Sequence, residues 1–139
     1  MKPVFNKKSR IFLICLLVFV ISIIPVLTGC GQVKEFANPI TENILAGISQ
    51  GDYSVFSRDF DERMKAELPE ENWESLLTAI DEQFGAYKDG SLSMKGFNTT
   101  NNVTTVNYTA EFTKKASANI EVTFEKIDDR HFVIGFWMN

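Results

Sequence analysis

Residues 106–125, VNYTAEFTKKASANIEVTFE, decide the fold class of this chain. Every second position in the two halves of this stretch is apolar, namely Val106, Tyr108, Ala110 and Phe112, then Ala118, Ile120, Val122 and Phe124. The positions between them are polar, which is typical of β-strands with one buried and one solvated face. A polar link, Lys114–Ser117, joins the halves. The stretch therefore predicts two antiparallel strands connected by a turn.

Two further strands flank this pair. Asp128-Asp129 predicts a tight turn into Phe132–Met138, a stretch that is nearly all apolar. On the other side, Tyr87–Phe97 alternates loosely and has an irregularity at Lys88-Asp89-Gly90, and the polar run Asn98–Asn102 indicates a turn. The second half of the chain is therefore expected to form a four-stranded antiparallel sheet with short connections.

Helices are predicted before the sheet. Asn38-Pro39 has the pattern of a helix start, with Asn as the cap and Pro at the first position, and Gly51 ends this helix. Asp52 caps a second helix with a break near residues 59–61, and a third runs from Pro69 to Gly85. The third has the clearest apolar face, made by Trp73, Leu76, Leu77, Ile80 and Phe84. This order indicates an α+β domain, with N-terminal helices packed on one face of the sheet.

The first thirty residues have the three parts of an export signal. These parts are a basic start (Lys2, Lys7, Lys8, Arg10), an apolar run (Ile11–Val26) and the ending Leu27-Thr28-Gly29-Cys30. A transmembrane anchor is the alternative interpretation. The apolar run is only 16 residues long and is interrupted by Ser22 and Pro25, whereas roughly 20 residues are needed to cross a bilayer.

A cysteine directly after small residues resembles the lipobox of bacterial lipoproteins, in which the cysteine is acylated and becomes the new N-terminus. The sequence therefore predicts a signal peptide at residues 1–29, lipidated Cys30 with a short extended tether at residues 30–37, and an α+β domain at residues 38–139. Two or three acyl chains on Cys30 would hold the domain on the extracytoplasmic face of the cell membrane.

Charge and cysteine content exclude several kinds of site. The four signal-segment bases precede Cys30 and no acid does, so residues 31–139 carry 10 Lys and Arg against 18 Asp and Glu, a net charge of −8. Nucleic-acid binding requires a basic stripe facing the phosphates, and the sequence shows none. Gly31–Asn139 also lacks cysteine, which excludes a disulfide and a cysteine-based metal site there. We expect neither a metal nor a cofactor.

Three motifs carry a resemblance to a known family: Gly51-Asp52-Tyr53 with Phe56 and Phe60, Leu68-Pro69-Glu70-Glu71-Asn72-Trp73, and Phe84-Gly85-Ala86-Tyr87. Together they resemble the bacterial domain of unknown function numbered 3887, of the nuclear transport factor 2-like superfamily. The resemblance covers about residues 35–139. It implies a cone of three helices against a strongly curved antiparallel sheet, and an accessory or binding role. The motif residues are mostly structural and imply a fold rather than an activity.

Candidate catalytic residues are few. The single histidine, His131, lies beside Asp128 and Asp129 at the predicted hairpin, and an Asp–His pair can act as a base and its orienting group. A solvated turn is the simpler interpretation, because no serine or cysteine is placed to be activated. The strand acids, Glu111, Glu121 and Glu125, alternate with the apolar residues and should face solvent. The sequence predicts no catalytic constellation, and a cone-type isomerase-like or hydrolase-like enzyme is the third alternative.

The aromatic residues allow two interpretations. They can form the core that a small domain needs, or they can line a pocket in the mouth of the cone for a small apolar ligand. The candidate pocket residues are Tyr53, Phe56, Phe60, Trp73, Leu77, Tyr108, Phe112, Phe124 and Phe136. The apolar last strand also indicates a possible homodimer or other protein contact through the open sheet face. The leading hypothesis is a membrane-anchored, non-enzymatic binding module.

Overall fold

The computed structural model describes residues 28–139. The basic start and the apolar run of the predicted export signal lie outside the described residues. Residues 34–139 form one compact unit, which contains the whole of the predicted α+β domain. From residue 28 onward, no helix is both long enough and apolar enough to cross a membrane.

The first helix, α1, spans Thr28–Gln50 and contains Pro39 in its interior. The predicted start at Asn38 is therefore wrong, and the expected extended tether is helical. Proline usually ends a helix because it lacks an N–H group and crowds the preceding turn. Here that preceding turn is held by tertiary packing, since the Phe36 ring lies edge-on against Phe124 with centroids 5.4 Å apart. The packing of the half-buried Phe36 offsets part of the local cost of the proline.

Two short helices follow, α2 at Tyr53–Phe56 and α3 at Glu62–Glu67. Asp52 caps α2 as predicted, because its carboxylate accepts hydrogen bonds from two backbone N–H groups of the first turn. The predicted break lies between α2 and α3. There Phe60 forms an isolated parallel bridge with Val133, so the backbone of this loop pairs with the last strand instead of continuing the helix.

A 3₁₀ turn at Glu70–Asn72 leads into α4 at Trp73–Phe84, directly after Pro69. The helix ends at Gly85, which adopts a φ of 75°. A side chain at this position would also collide with the side chain of Thr113. Both observations require glycine here, because only glycine adopts this conformation without strain and leaves room for the neighbouring loop.

Four strands form one antiparallel sheet in the order β1-β2-β3-β4. Their bounds are Ser93–Thr100, Val103–Ala110, Ala118–Ile127 and Arg130–Met138. The sheet order follows the chain order, so each strand pairs with its sequence neighbour. The fold is the predicted one, with helices first and then an antiparallel sheet of four strands.

The bounds of β1 differ from the prediction, which placed this strand at residues 87–97. Gly90 adopts a φ of 76°, and the resulting turn leaves Tyr87 with only an isolated bridge to Phe112. At the other end, β1 continues through Thr100, so the predicted five-residue turn is shorter than expected. Both this hairpin and the confirmed Asp128-Asp129 turn begin with a residue at positive φ, 56° for Asn101 and 53° for Asp128. Asn and Asp tolerate this conformation better than other side chains do.

The helices cover one face of the sheet. The alternating apolar residues of β2 and β3 and of the segment between them are buried as predicted: Val106, Tyr108, Ala110, Phe112, Ala118, Ile120, Val122 and Phe124. Aromatic rings before the sheet contact this face in the pairs Phe36–Phe124, Phe56–Phe136 and Phe84–Phe112. The β1–β2 and β3–β4 ladders each contain a bulge, a feature that bends a strand locally and increases its twist.

Candidate binding site

The structure distributes the nine candidate pocket residues over several parts of the domain core. Six of them are buried, namely Phe56, Phe60, Trp73, Tyr108, Phe112 and Phe124. Phe112 packs between Phe84 and Tyr87, and Phe124 packs against Phe36. Leu77 is half-buried and lines a separate groove near Gly51. At these positions the structure shows aromatic rings packed against one another as core.

The largest group of contacting aromatic rings comes from α2, the loop after it and the start of α4, with Phe56 at its centre. Its ring centroid is 4.6 Å from that of Trp73, 4.8 Å from that of Phe60 and 6.2 Å from that of Tyr53. The polar atoms of this group are already used. The Tyr53 hydroxyl donates to the Leu68 carbonyl at 2.8 Å, and the Trp73 indole N–H donates to a backbone carbonyl at 3.0 Å. These groups hold the loops in place and are not free for a ligand.

Two further tyrosines link α1 to the rest of the domain. The Tyr108 hydroxyl donates to Asn38 Oδ1 at 3.1 Å, and the Tyr87 hydroxyl donates to Glu42 Oε2 at 2.9 Å. Burial raises the pKa of Tyr108 to about 12, and burial together with the Glu42 carboxylate raises the pKa of Tyr87 to about 12. Both hydroxyls therefore remain protonated at neutral pH, where they act as hydrogen-bond donors and not as bases.

His131 and the strand acids do not converge. Among the described residues, no hydrogen bond joins His131 to Asp128 or Asp129, and the imidazole instead stacks on Phe36. Glu111 and Glu121 are exposed as predicted, while Glu125 is half-buried and forms an ion pair with Arg63 at 3.1 Å. Within residues 28–139, no three His, Cys, Asp or Glu side chains are placed to share a metal ion.

An apolar groove lies between α4 and the free edge of β4, and we call it the edge groove. It has a volume of about 220 Å³. It is lined by Leu68, Leu76, Ala79, Ile80, Gln83, Phe84, Phe136, Trp137 and Met138. Two of these lining residues have a polar group in the side chain: Gln83 has an amide and Trp137 has an indole N–H. Trp137 is 58% exposed, which is unusual for so large an apolar residue.

Some of the groove residues also carry predictions made from the sequence. Phe136 was a candidate pocket residue, and Leu76, Ile80 and Phe84 belong to the predicted apolar face of α4. Ala79, Gln83 and Met138 were not expected. The one sequence signal that points to the groove is the apolar face of α4, because Leu76, Ile80 and Phe84 of that face line it.

Comparisons with known proteins agree with this architecture. The family model described as "Protein of unknown function (DUF3887)" matches residues 41–136. An NTF2-like protein of unknown function from Shewanella baltica OS155 has a solved structure that matches 81% of this chain and 96% of its own, with a TM-score of 0.55 and 10% identity. At that identity the likeness shows the fold alone.

A second solved structure is less similar. It is that of a SEC-C motif containing protein from Rhodopseudomonas palustris, with a TM-score of 0.47, 14% identity, and coverage of 76% of this chain and 90% of that one. A search of curated proteins finds no match. The family match covers more than half of the chain, and the helices and sheet follow the same plan as the Shewanella protein. The chain therefore belongs to the DUF3887 family of proteins of unknown function, and its domain has the nuclear transport factor 2-like fold.

Proposed function

We propose that this chain is a lipid-anchored, extracytoplasmic binding module whose edge groove holds a small apolar ligand. The export-signal pattern that ends at Cys30 supports the location, and the Cys30 side chain is exposed, as acylation requires. Binding rather than catalysis is favoured by the chemistry of the described residues, because His131 stacks on a ring, Glu111 and Glu121 are exposed, and Glu125 is held in an ion pair.

The edge groove is the single observation that carries the ligand proposal. Ligand sites in proteins are concave, mostly apolar and supplied with a few polar groups for orientation. The edge groove has this composition, with Gln83 as the polar side chain on its α4 wall. A dry cavity of about 150 Å³ already accepts a benzene molecule. The edge groove, at about 220 Å³, has room for a bicyclic ring or a short branched alkyl chain.

Methyl NMR of the full-length protein in detergent micelles tests the proposal. Methionine methyl groups labelled with ¹³C report on the groove directly, because Met138 lines it while Met64 is buried in the core. Indole is the probe. We expect indole to shift the Met138 signal in a saturable manner and to leave the Met64 signal in place. Equal shifts of both signals, or a linear change of the Met138 signal without saturation, would contradict the proposal.

A pair of tryptophan variants on α4 provides the control. Ala79→Trp fills the groove from its helical wall, whereas Thr78→Trp introduces the same indole side chain at the adjacent exposed position, outside the groove. We expect Ala79→Trp to weaken indole binding at least tenfold and Thr78→Trp to leave it unchanged. Unchanged binding in Ala79→Trp would place the probe elsewhere.

A further inference from the structure

Within residues 28–139, the outer edge of β4 is only partly paired with other backbone segments. At Val133 the backbone N–H donates to the Asp59 carbonyl at 2.7 Å, and the carbonyl accepts from the Asp61 N–H at 3.1 Å. At the C-terminal end of the ladder, Asn139 exchanges both backbone hydrogen bonds with Asn119 of β3, so the backbone groups of Asn139 point toward β3. In an antiparallel ladder alternate residues point to opposite sides. The backbone groups of Phe136 and Met138 therefore point away from the sheet.

This free section lacks the features that usually prevent a sheet edge from pairing. Phe132–Asn139 contains no charged residue and no proline. The opposite edge, β1, carries Lys95 and a bulge between Met94 and Gly96, and both discourage strand addition. An uncharged edge with unpaired backbone groups is a template for another strand.

We propose that a second copy of this chain adds its own β4 to this edge, antiparallel, across a two-fold axis at Trp137. This register pairs Phe136 with Met138 of the second copy and Met138 with Phe136 of the second copy. In each of these pairs, the backbone N–H and C=O groups of both residues point toward the other strand. The edge is therefore complementary to itself, as an isologous contact requires. The result is a continuous eight-stranded sheet.

The exposed tryptophan lies on the axis of this pairing. Trp137 faces Glu121 of β3, on the sheet side opposite the core. Across the axis it forms a non-hydrogen-bonded pair with Trp137 of the second copy, where Cα atoms approach to about 4.5 Å and side chains are closest. The two indole rings would then cover each other, which accounts for the 58% exposure of Trp137 in a single copy.

Coverage and charge both favour this register. The pairing uses Gly135–Asn139, which lies outside the part of β4 that the loop at residues 59–61 covers. Residues 31–139 carry a net charge of −8, so two copies can approach closely only where acids are absent. The two Glu121 side chains nearest to the axis would be about 14 Å apart, three strand spacings, which exceeds a Debye length of about 8 Å at physiological salt.

The proposal is tested with the full chain in detergent by sedimentation velocity at micromolar concentration. Met138→Pro removes the outward N–H, which the sheet of a single copy does not use, and proline is tolerated at such edge positions. Met138→Leu is the matched control, because it keeps both the N–H and an apolar side chain. We expect wild type and Met138→Leu to be dimers and Met138→Pro to be a monomer with an unchanged far-ultraviolet circular dichroism spectrum. A monomeric wild type, or a folded Met138→Pro dimer, would overturn the pairing.

Disulfide trapping decides the question if Met138→Pro does not fold. In the proposed register, Trp137→Cys places two thiols across the axis at a Cα separation of about 4.5 Å, within the range that a disulfide spans. We expect oxidation to link Trp137→Cys into dimers more completely than wild type, which reports the background from Cys15 and Cys30 in any unprocessed chains. Lys95→Cys on the opposite edge should stay at that background. Absence of the Trp137→Cys dimer would refute the register.

The inference does not rest on the proposed ligand. The Ala79→Trp variant changes the α4 wall of the edge groove. The pairing variants change Trp137 and Met138, which lie on the edge of β4 and also line the groove, so indole binding is measured only in wild type and the α4 variants. A protein that binds indole but sediments as a monomer would support the proposed function and contradict the dimer. A protein that sediments as a dimer but does not bind indole would support the dimer and contradict the proposed function.

Discussion

The imidazole of His131 stacks face to face on the ring of Phe36, with centroids 3.6 Å apart and planes within 2° of parallel. Phe36 in turn packs edge-on against Phe124, so one column of three rings joins α1 to the β3–β4 hairpin. Burial, and secondly the nearby charge of Lys126, lower the pKa of His131. The stacked imidazole is therefore favoured in its neutral form.

This stack predicts a loss of stability in mild acid. Because the pKa of His131 is lower in the folded state than in the unfolded state, the folded state binds fewer protons. The contribution is fully present above the unfolded pKa of about 6.5 and is lost as the pH falls through it toward the folded pKa. Urea unfolding between about pH 7 and pH 5 measures it. His131→Phe keeps the stack without a titrating group and should show a smaller decrease, and an equal decrease would contradict this role.

Thr41→Val should stabilise the domain or leave its stability unchanged. Thr41 is fully buried on α1, and its hydroxyl oxygen lies near the Tyr108 hydroxyl without hydrogen-bond geometry to any of the described residues. An unpaired buried hydroxyl costs about 1–3 kcal/mol, and valine has the same shape without it. Thermal or urea unfolding measures the change, with Thr78→Val at an exposed site of α4 as the control. A clear destabilisation by Thr41→Val would show that the hydroxyl has an important partner, such as a buried water.

Gly47→Ala should destabilise the contact between α1 and α2. A methyl group at Gly47 would collide with the backbone of Phe56, which cannot move as a flexible side chain could. Overpacking of this kind costs about 1–3 kcal/mol. Gly31→Ala is the control, because it lies on the same helix with open space around it. Urea unfolding compares the two, and equal stabilities would show that α2 can shift to accept the methyl group.

Cys30→Ser should release the protein from the membrane fraction of a lipoprotein-processing bacterial host. The thiol is the predicted acylation site, and its loss removes the acyl chains that would anchor the domain. Cell fractionation and intact mass spectrometry measure the distribution and the added lipid mass. Cys15→Ser, within the apolar run, is the matched control and should leave both unchanged. Retention of Cys30→Ser in the membrane would instead favour the uncleaved anchor.

Local sequence signals predicted much of the fold because their causes are local. The alternation in β2 and β3 depends only on the period of a strand, and Gly85 is required where a helix ends at positive φ. The start of α1 was missed because its cause is distant. Pro39 argued for a helix start there, whereas the packing of Phe36 on Phe124 extends the helix through it.

In the candidate site, too, some properties follow from the local sequence and others only from distant packing. Sequence alone determined which residues of α4 and β4 are apolar, since that follows from composition and period. Only the tertiary structure decided which of them remain uncovered. On β4, Val133 is fully buried and Trp137 is exposed, because the bulge in the β3–β4 ladder places Val133 opposite the buried Phe124 and Trp137 opposite the exposed Glu121. Burial depends on which segments meet in space, and a one-dimensional pattern does not contain that information.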